Sequence, residues 1–167
     1  YTSPFPTDVI WRTAENGRLH QLSIRIYYTN YFDSGNTERK TLNWNFPSKE
    51  ASDLDGGEEQ KTQIRGQQFY VFLKNSIPER SDVERTLDSV RYIVSVANDN
   101  FNIYMKVNEP SNSIIQERPE FSNVSNGIGL FASRYSEHRT LLLNSDSQDS
   151  LVDGHHTRHL NFIKPIR

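Results

Sequence analysis

Three histidines near the end of the chain form the clearest local pattern that could support chemistry. His155 and His159 are four residues apart, a spacing that on a helix places both rings on one face for a zinc ion. The catalytic form of this motif has glutamate directly after the first histidine, where this chain has His156. Gly154 also disfavours a helix at this point. We therefore predict that these histidines are solvated or hydrogen-bonded and bind no metal.

Nucleophilic and carboxylate sites have less support. No serine lies in a Gly-x-Ser-x-Gly turn, and the absence of cysteine excludes thiol catalysis, disulfides and thiolate metal sites. Carboxylates such as Glu58 and Glu59 lie in a predicted loop, whereas the paired carboxylates of glycosidases are held close together on rigid elements. The sequence therefore predicts no catalytic residue and no cofactor, and an enzyme is the less favoured class of protein.

Aromatic residues give a more suggestive pattern. Several lie close together along adjacent predicted strands: Tyr27, Tyr28, Tyr31, Phe32 and Trp44. Rings on a solvated sheet face can stack on sugars or contact a partner chain, although most aromatic residues are found in cores. We favour the core for Tyr28 and Trp44 and leave both possibilities open for Tyr27 and Tyr31. The candidate ligand-facing residues are thus Tyr27, Tyr31 and Trp44.

The strands that would position these rings are predicted by alternation of apolar and polar residues. The predicted core faces of three strands are Leu22, Ile24, Ile26 and Tyr28, then Leu42, Trp44 and Phe46, then Val90, Tyr92, Val94 and Val96. Before them, Val9–Trp11 is β-prone, and Asn16-Gly17 predicts a tight hairpin turn. These segments favour an antiparallel sheet.

Helices and loops are predicted between the strands. Thr62–Ile77 has helical spacing of its apolar residues and ends before Pro78. A second, short helix is predicted at Phe101–Val107, burying Phe101, Tyr104 and Met105. Three other segments are predicted from their composition. Ser48–Lys61 is predicted to be a surface loop, Asn144–Gly154 a polar segment, and His159–Ile163 a final strand or short helix.

The stretch Phe121–Leu143 is predicted to be the centre of the fold. Asn126-Gly127 predicts a turn, and Gly127–Arg134 is predicted to be a buried strand paired with Thr140–Leu143 through a turn at Tyr135–Arg139. Gly129 inside a strand indicates that a bulky group, or alternatively a ligand, lies against it. We favour packing, which predicts that Gly129→Val destabilises the protein.

Together these patterns predict one α+β domain over residues 1–167, mainly an antiparallel β-sheet (sandwich or open barrel) with one or two short helices packed on it. The chain contains nine Phe, eight Tyr and two Trp, which favours an aromatic-rich core. Its net charge of -2 gives no basic footprint and predicts no nucleic-acid partner. No apolar run has the length of a membrane helix.

Three segments carry a resemblance to a family: GQQFYVFLKNSIP, VERTLDSVRYIVSVANDNFNIYMKVN and FSNVSNGIGLFASR. In order and spacing they resemble uncharacterised exported lipoproteins of Bacteroidetes, over roughly residues 66–135. The resemblance implies export, a cell-envelope location in the periplasm or at the outer-membrane surface, and a lipid anchor outside this chain. Separately, the sequence has no signal peptide and Met105 is its single methionine, so we expect the chain to be the later part of a longer exported protein. The resemblance carries over no catalytic residue.

Two tripeptides resemble sites at which exported Bacteroidetes proteins are O-glycosylated: Asp88-Ser89-Val90 and Asp149-Ser150-Leu151. The expected function is a non-enzymatic cell-envelope or surface lipoprotein domain that binds a glycan, a peptide or another envelope protein. The alternatives are an extracellular hydrolase acting on polysaccharide or peptide through an unrecognised carboxylate or histidine site, and a structural module of an envelope assembly. A flat face with exposed tyrosine and tryptophan rings favours binding, and a cleft with two close carboxylates favours the hydrolase.

Overall fold

The main element of the computed structural model, which describes residues 7–107, 121–127 and 129–165, is an open antiparallel sheet. Its long strands have the order β3-β2-β6-β7, and the short β4 pairs with the start of β2. A second sheet contains β1 and β5. The strands are β1 (Thr7–Arg12), β2 (Leu19–Phe32), β3 (Thr37–Asn45), β4 (Lys49–Glu50), β5 (Glu59–Ile64), β6 (Val83–Ala97) and β7 (Arg134–Leu141).

Three α-helices are present in the described part of the chain, which confirms the predicted α+β class. They are α1 (Gly66–Ser76), α2 (Asp99–Val107) and α3 (Ser145–Asp153), and a 3-10 turn follows at Arg158–Leu160. Because β3 and β7 end the main sheet without pairing with each other, the sheet is not closed into a barrel.

The two faces of the main sheet differ in what covers them. On one face, which we call the helix side, β2 buries its predicted core residues against side chains of α1, α3 and the 3-10 turn; this cluster includes Leu22, Ile24, Ile26, Tyr28, Tyr70, Leu73, Leu151 and Leu160. The alternate residues of β2 point to the other face, which we call the open face, and Ser23, Arg25 and Tyr27 are half-buried there. The predicted alternation of β2 is thus confirmed.

A bulge in β6 decides which of its residues reach the helix side. Tyr27 pairs with Ser89 while Tyr28 pairs with Leu87, so Asp88 is the extra residue. Its carboxylate accepts hydrogen bonds from Thr29 at 2.8 Å and Thr86 at 3.1 Å. The offset places Leu87 on the helix side, where it is buried.

The same offset directs Arg85 into the helix side, where only 1% of it is exposed. Its guanidinium donates to Asn30 Oδ1 at 3.1 Å, to the carbonyl of Pro78 at 3.0 Å and to the carbonyl of Leu160. Its backbone also bonds to the chain beyond the 3-10 turn, at Asn161 and Ile163. One buried side chain thereby joins β2, β6, the loop before β6 and the C-terminal segment.

The structure of residues 48–77, which include β5 of the second sheet, contradicts two sequence predictions. The predicted helix over Thr62–Ile77 begins only at Gly66, because Glu59–Ile64 is a strand paired with β1. The predicted loop Ser48–Lys61 contains β4 and the start of β5, and buries Ala51 and Gln60. The partner strand lies far away in sequence, so its contribution cannot be inferred from local pattern.

The predicted Asn16-Gly17 turn is present, but it does not form a hairpin between β1 and β2. Asn16 has a φ of 60° and Gly17 N–H donates to Ala14 at 3.0 Å, as expected of a tight turn. However, β1 pairs with β5, whereas β2 pairs with β3, β4 and β6. The turn therefore redirects the chain from one sheet to the other.

For Phe121–Leu143, the turn predicted at Asn126-Gly127 is present, with a φ of 61° at Asn126, but the strand prediction is wrong. The described residues of Gly127–Arg134 do not form a buried strand, Phe131 is 80% exposed, and Ile128 lies outside the described residues. Tyr135–Arg139 belongs to β7 and pairs with β6. The physical reason lies in Asn123, whose side chain exchanges two 2.7 Å hydrogen bonds with the backbone of Phe131 and replaces a strand partner.

Helix predictions near the C-terminal half are partly wrong. In α2, Asn102 is buried while Tyr104 and Met105 are 37% and 44% exposed, so the predicted buried face is incorrect. The polar segment Asn144–Gly154 contains α3, which Asn144 caps by accepting from Ser147 N–H at 2.9 Å. His159–Ile163 was predicted to be a final strand or a short helix, and it has features of both. The 3-10 turn ends at Leu160, and Phe162 then forms a β-bridge with Arg85.

We predict that Arg85→Leu lowers the free energy of unfolding by about 2–4 kcal/mol, because two buried carbonyls and Asn30 lose their donor. Urea denaturation of the variant and the parent measures this loss. Arg80→Gln is the matched control: that arginine is exposed and pairs with Asp82 at the surface, so its replacement changes stability little. Equal midpoints for the Arg85 variant and the parent would contradict the assigned role.

A side chain would clash with its neighbours at Gly17 and not, as the sequence predicted, at Gly129. A Cβ on Gly129 would meet only Val124 among the described residues, at an ordinary 3.6 Å, whereas a Cβ on Gly17 would lie 2.5 Å from Val96 Cγ1 and 3.0 Å from Ala14 O. We expect Gly17→Ala to destabilise the protein by about 1–3 kcal/mol and Gly129→Ala to change it by less than about 0.5 kcal/mol. Thermal melts of both variants test this order, and the reverse order would refute it.

Candidate ligand-binding face

The open face carries a row of four polar side chains, one from each long strand. The register places Asn43 beside Arg25, Arg25 beside Arg91, and Arg91 beside Thr140. We call these four residues the arginine row. Its two central members carry like charges directly opposite each other on adjacent strands, an arrangement that destabilises a sheet.

Each arginine of the row is held by its outer neighbour. Arg25 Nε donates to Asn43 Oδ1 at 2.8 Å, and Arg91 Nε donates to Thr140 Oγ1 at 3.0 Å. Among the described residues, neither guanidinium forms an ion pair with a carboxylate. The bonds of both guanidiniums to other described residues use Nε, and their terminal nitrogens have no acceptor among those residues.

An aromatic ring lies directly beside the row. The Arg91 guanidinium carbon lies 5.3 Å from the centre of the Tyr27 ring, within the range of a cation–π contact. Tyr27 is half-buried, with Thr41 and Ser89 as its cross-strand neighbours. The contact gives Arg91 a second anchor and leaves a flat surface next to two cationic groups.

Further basic side chains follow along β7. His138 pairs with Ile93, and Arg134 pairs with Ala97 near the end of the sheet. Arg134 Nη2 donates to Ser95 Oγ at 3.1 Å, and that hydroxyl lies 2.8 Å from Ser136 Oγ. Cationic and hydroxyl groups thus extend from the arginine row toward the start of β7.

The opposite end of the open face has acidic and hydroxyl groups. Tyr31 is 41% exposed and pairs with Glu84, and its hydroxyl lies 3.5 Å from Thr86 Oγ1. The carboxylate of Asp88 lies at this end because it bonds to Thr29 and Thr86. Arg39 also lies at this end, opposite Thr29, and Glu50 lies at the other end, opposite Leu19. The open face therefore carries charges of both signs around the arginine row.

The three candidate ligand-facing residues do not lie together. Tyr27 and Tyr31 are on the open face, four residues apart on β2, which is about 13 Å at strand spacing. Trp44 is on the helix side, where its ring stacks on Phe72 at 5.0 Å and contacts Phe46 at 4.7 Å. It also lines an open depression of about 390 Å³ beside α1.

The C-terminal histidines do not form the helical pair that their spacing suggests. The His155 and His156 rings are 3.6 Å apart, whereas His159 belongs to the 3-10 turn. His156 Nε2 lies 3.1 Å from Gln67 Nε2, and partial burial together with His155 and Lys74 lowers the pKa of His156. The described residues contain no group of three or more metal-ligating side chains suited to a metal ion. The absence of metal binding stays a prediction.

The two tripeptides suggested for O-glycosylation have different surroundings. Ser150 is buried and its hydroxyl donates to the carbonyl of Asp146 at 2.9 Å, so it is inaccessible in the folded protein. Ser89 lies in β6 beside Tyr27 and is half-buried. Modification of Ser89 stays untested.

Sequence reasoning missed the arginine row. Arg25 and Arg91 alternate with the core residues of two correctly predicted strands. This alternation was the sequence signal that could have placed them on the open face. Arg25 and Arg91 become neighbours only because β2 pairs with β6. These two strands are separated in sequence by β3, β4, β5 and α1. Local alternation gives the face of each residue but not its cross-strand neighbour.

Comparisons of the chain with protein-family models, with curated proteins and with solved structures find no match. None of the described helices is long and apolar enough to cross a membrane. The class of protein that the fold and the open face define is an α+β domain with one side of its sheet covered by helices.

His20 is a buried titratable group that the sequence patterns did not single out. It is fully buried at the start of β2, and its Nε2 accepts the backbone N–H of Ala14 at 3.2 Å. Its Nδ1 has no hydrogen-bond partner among the described residues. Burial lowers the pKa of His20, and the charge of Glu58 opposes this effect. Protonation of Nε2 would break the bond to Ala14.

We predict that acidification destabilises the protein through His20. The pKa is lowered in the folded state, so the unfolded chain binds the proton first, and stability falls as the pH drops below the ordinary value of 6.5. The free energy of unfolding should therefore be lower at about pH 5.5 than at about pH 7.5, and His20→Gln should reduce this difference. His138→Gln is the control, because that histidine is exposed on β7. An unchanged pH dependence in the His20 variant would contradict the prediction.

Proposed function

We propose that this protein is a non-enzymatic binding module of the cell envelope that binds a glycan on the open face of its sheet. One observation carries the proposal: two arginines that form no ion pair with any described carboxylate lie side by side in the middle of the sheet, next to the half-buried ring of Tyr27. Such an arrangement contributes little to folding, because like charges oppose each other. An anionic or hydrogen-bonding ligand that binds both guanidiniums would offset their repulsion.

The chemistry of the face suits a carbohydrate. Sugar rings have apolar faces that pack on aromatic rings, and hydroxyl groups that hydrogen-bond to polar side chains. The cross-strand neighbours of Tyr27 are Thr41 and Ser89. Further neutral polar side chains lie on the same face nearby: Ser23, Asn43, Asn45 and Thr140. These groups can exchange donors and acceptors with sugar hydroxyls.

Rigidity of the face also favours binding. The contributing side chains come from regular strands, and the arginines are held by Asn43, Thr140 and Tyr27 before any ligand arrives. Preorganised groups lose less conformational entropy on binding than side chains on mobile loops. A flat, preorganised surface is typical of a binding module more than of a hydrolase.

The envelope location is proposed on the resemblance of residues 66–135 to exported lipoproteins of Bacteroidetes. Surface and periplasmic proteins of such bacteria encounter polysaccharides, which agrees with a glycan ligand. A peptide or another envelope protein on the same face is the other outcome that the experiment distinguishes.

We expect Tyr27→Ala to weaken glycan binding by about tenfold, which corresponds to about 1.4 kcal/mol. The labelled protein is applied to an array of neutral and acidic oligosaccharides, and the bound species are then titrated calorimetrically. Tyr135→Ala is the matched control, because Tyr135 is 63% exposed on β7 but lies on the other side of the sheet.

Three outcomes would count against the proposal. The first is that the folded protein binds no oligosaccharide on the array. The second is that Tyr27→Ala and Tyr135→Ala bind equally well, which would place the glycan elsewhere. The third is binding of a peptide or envelope protein, without any glycan, that depends on Tyr27.

A further inference from the structure

We infer that the ligand of the open face is an acidic polysaccharide, whose carboxylate or sulfate groups bind to Arg25 and Arg91. The inference rests on the proposed function and names the chemical class of the glycan. It is carried by the charge, spacing and anchoring of the cationic side chains on the open face.

The first step is the charge of the arginine row. Arg25 and Arg91 are paired across β2 and β6, and no described carboxylate forms an ion pair with either of them. By contrast, Arg80, Arg18 and several lysines elsewhere each have an acidic partner. An anion placed between Arg25 and Arg91 would neutralise the repulsion of two opposed cations.

The second step is the orientation of the two guanidiniums. Each Nε is bonded to a neutral neighbour, Asn43 or Thr140, so the remaining N–H donors are the terminal ones. The planar guanidinium fork matches the two oxygens of a carboxylate or sulfate. Because Tyr27 contacts Arg91, the anion and the sugar ring that carries it can bind side by side.

Polar and cationic groups also continue along the sheet from the arginine row. His138 pairs with Ile93, and Arg134 pairs with Ala97 near the end of β6. Ala97 lies six positions after Arg91, which is about 20 Å of strand. A linear chain of acidic sugars presents charges at intervals over such a length.

The charge of the open face favours a glycan over a nucleic acid as the polyanion. Asp88 and Glu84 lie toward the other end of this face, and the whole chain has a net charge of -2. Long, densely charged phosphate backbones are usually bound by faces with a continuous basic surface.

The test compares three oligomers of similar length on the full chain: oligogalacturonate, maltoheptaose and oligouridylate. Calorimetric titrations are performed with the parent, Tyr27→Ala, Arg25→Gln, Arg91→Gln and the matched control Arg139→Gln. Arg139 is an exposed arginine of β7 on the other side of the sheet. Melting midpoints of all variants are measured in parallel, since loss of a like-charge neighbour should leave them unchanged or raise them.

We expect the parent to bind oligogalacturonate more tightly than either other oligomer. Arg25→Gln and Arg91→Gln should each weaken it about tenfold, whereas Arg139→Gln should not. Raising the salt from about 50 mM to about 300 mM should weaken binding further, because exposed charges are screened.

The failures are distinguishable. Equal binding of maltoheptaose, lost in Tyr27→Ala but not in the arginine variants, would leave the glycan-binding function in place and overturn the acidic class. Tighter binding of oligouridylate that depends on Arg25 and Arg91 would assign the face to nucleic acid. Binding of none of the three would overturn both the inference and the proposed function.

Discussion

A buried guanidinium imposes the constraint on which the rest of this structure depends. Arg85 is only 1% exposed, and an arginine stays protonated even where burial lowers its pKa. Every donor of such a group needs an acceptor, and here these come from Asn30, Pro78 and Leu160. The acceptors belong to β2, to the loop before β6 and to the 3-10 turn. Satisfying one charge thus fixes the positions of three separate parts of the chain.

The bulge at Asp88 and the position of Arg85 together determine what each side of the sheet can do. The bulge directs Leu87 and Arg85 to the helix side, where α1, α3 and the C-terminal segment complete the core. Since stability comes from that side, the open face can tolerate an unfavourable pair such as Arg25 and Arg91. Departures from local consistency of this kind are expected at functional sites.

The sequence predicted those elements whose signal is local. The alternation of Leu22, Ile24 and Ile26 reflects a strand with one covered face, and the structure agrees. The prediction for Gly127–Arg134 failed although its alternation was similar, because Asn123 satisfies the backbone of Phe131 within the loop. Alternation reports that a segment can be a strand. Whether a partner strand is present depends on tertiary structure, which also decides the neighbours of Arg25.

The charge of the whole chain illustrates the same distinction between composition and arrangement. A net charge of -2 gives no sign of a cationic surface. In the described structure, the acidic groups that form ion pairs do so away from the arginine row, for example Asp82 with Arg80, Glu50 with Lys106 and Asp149 with Lys164. These pairs neutralise lysines and arginines elsewhere, whereas no carboxylate of the described residues forms an ion pair with Arg25 or Arg91. A nearly neutral protein can thus present a local basic site, because ion pairing removes charge from some surfaces and not from others.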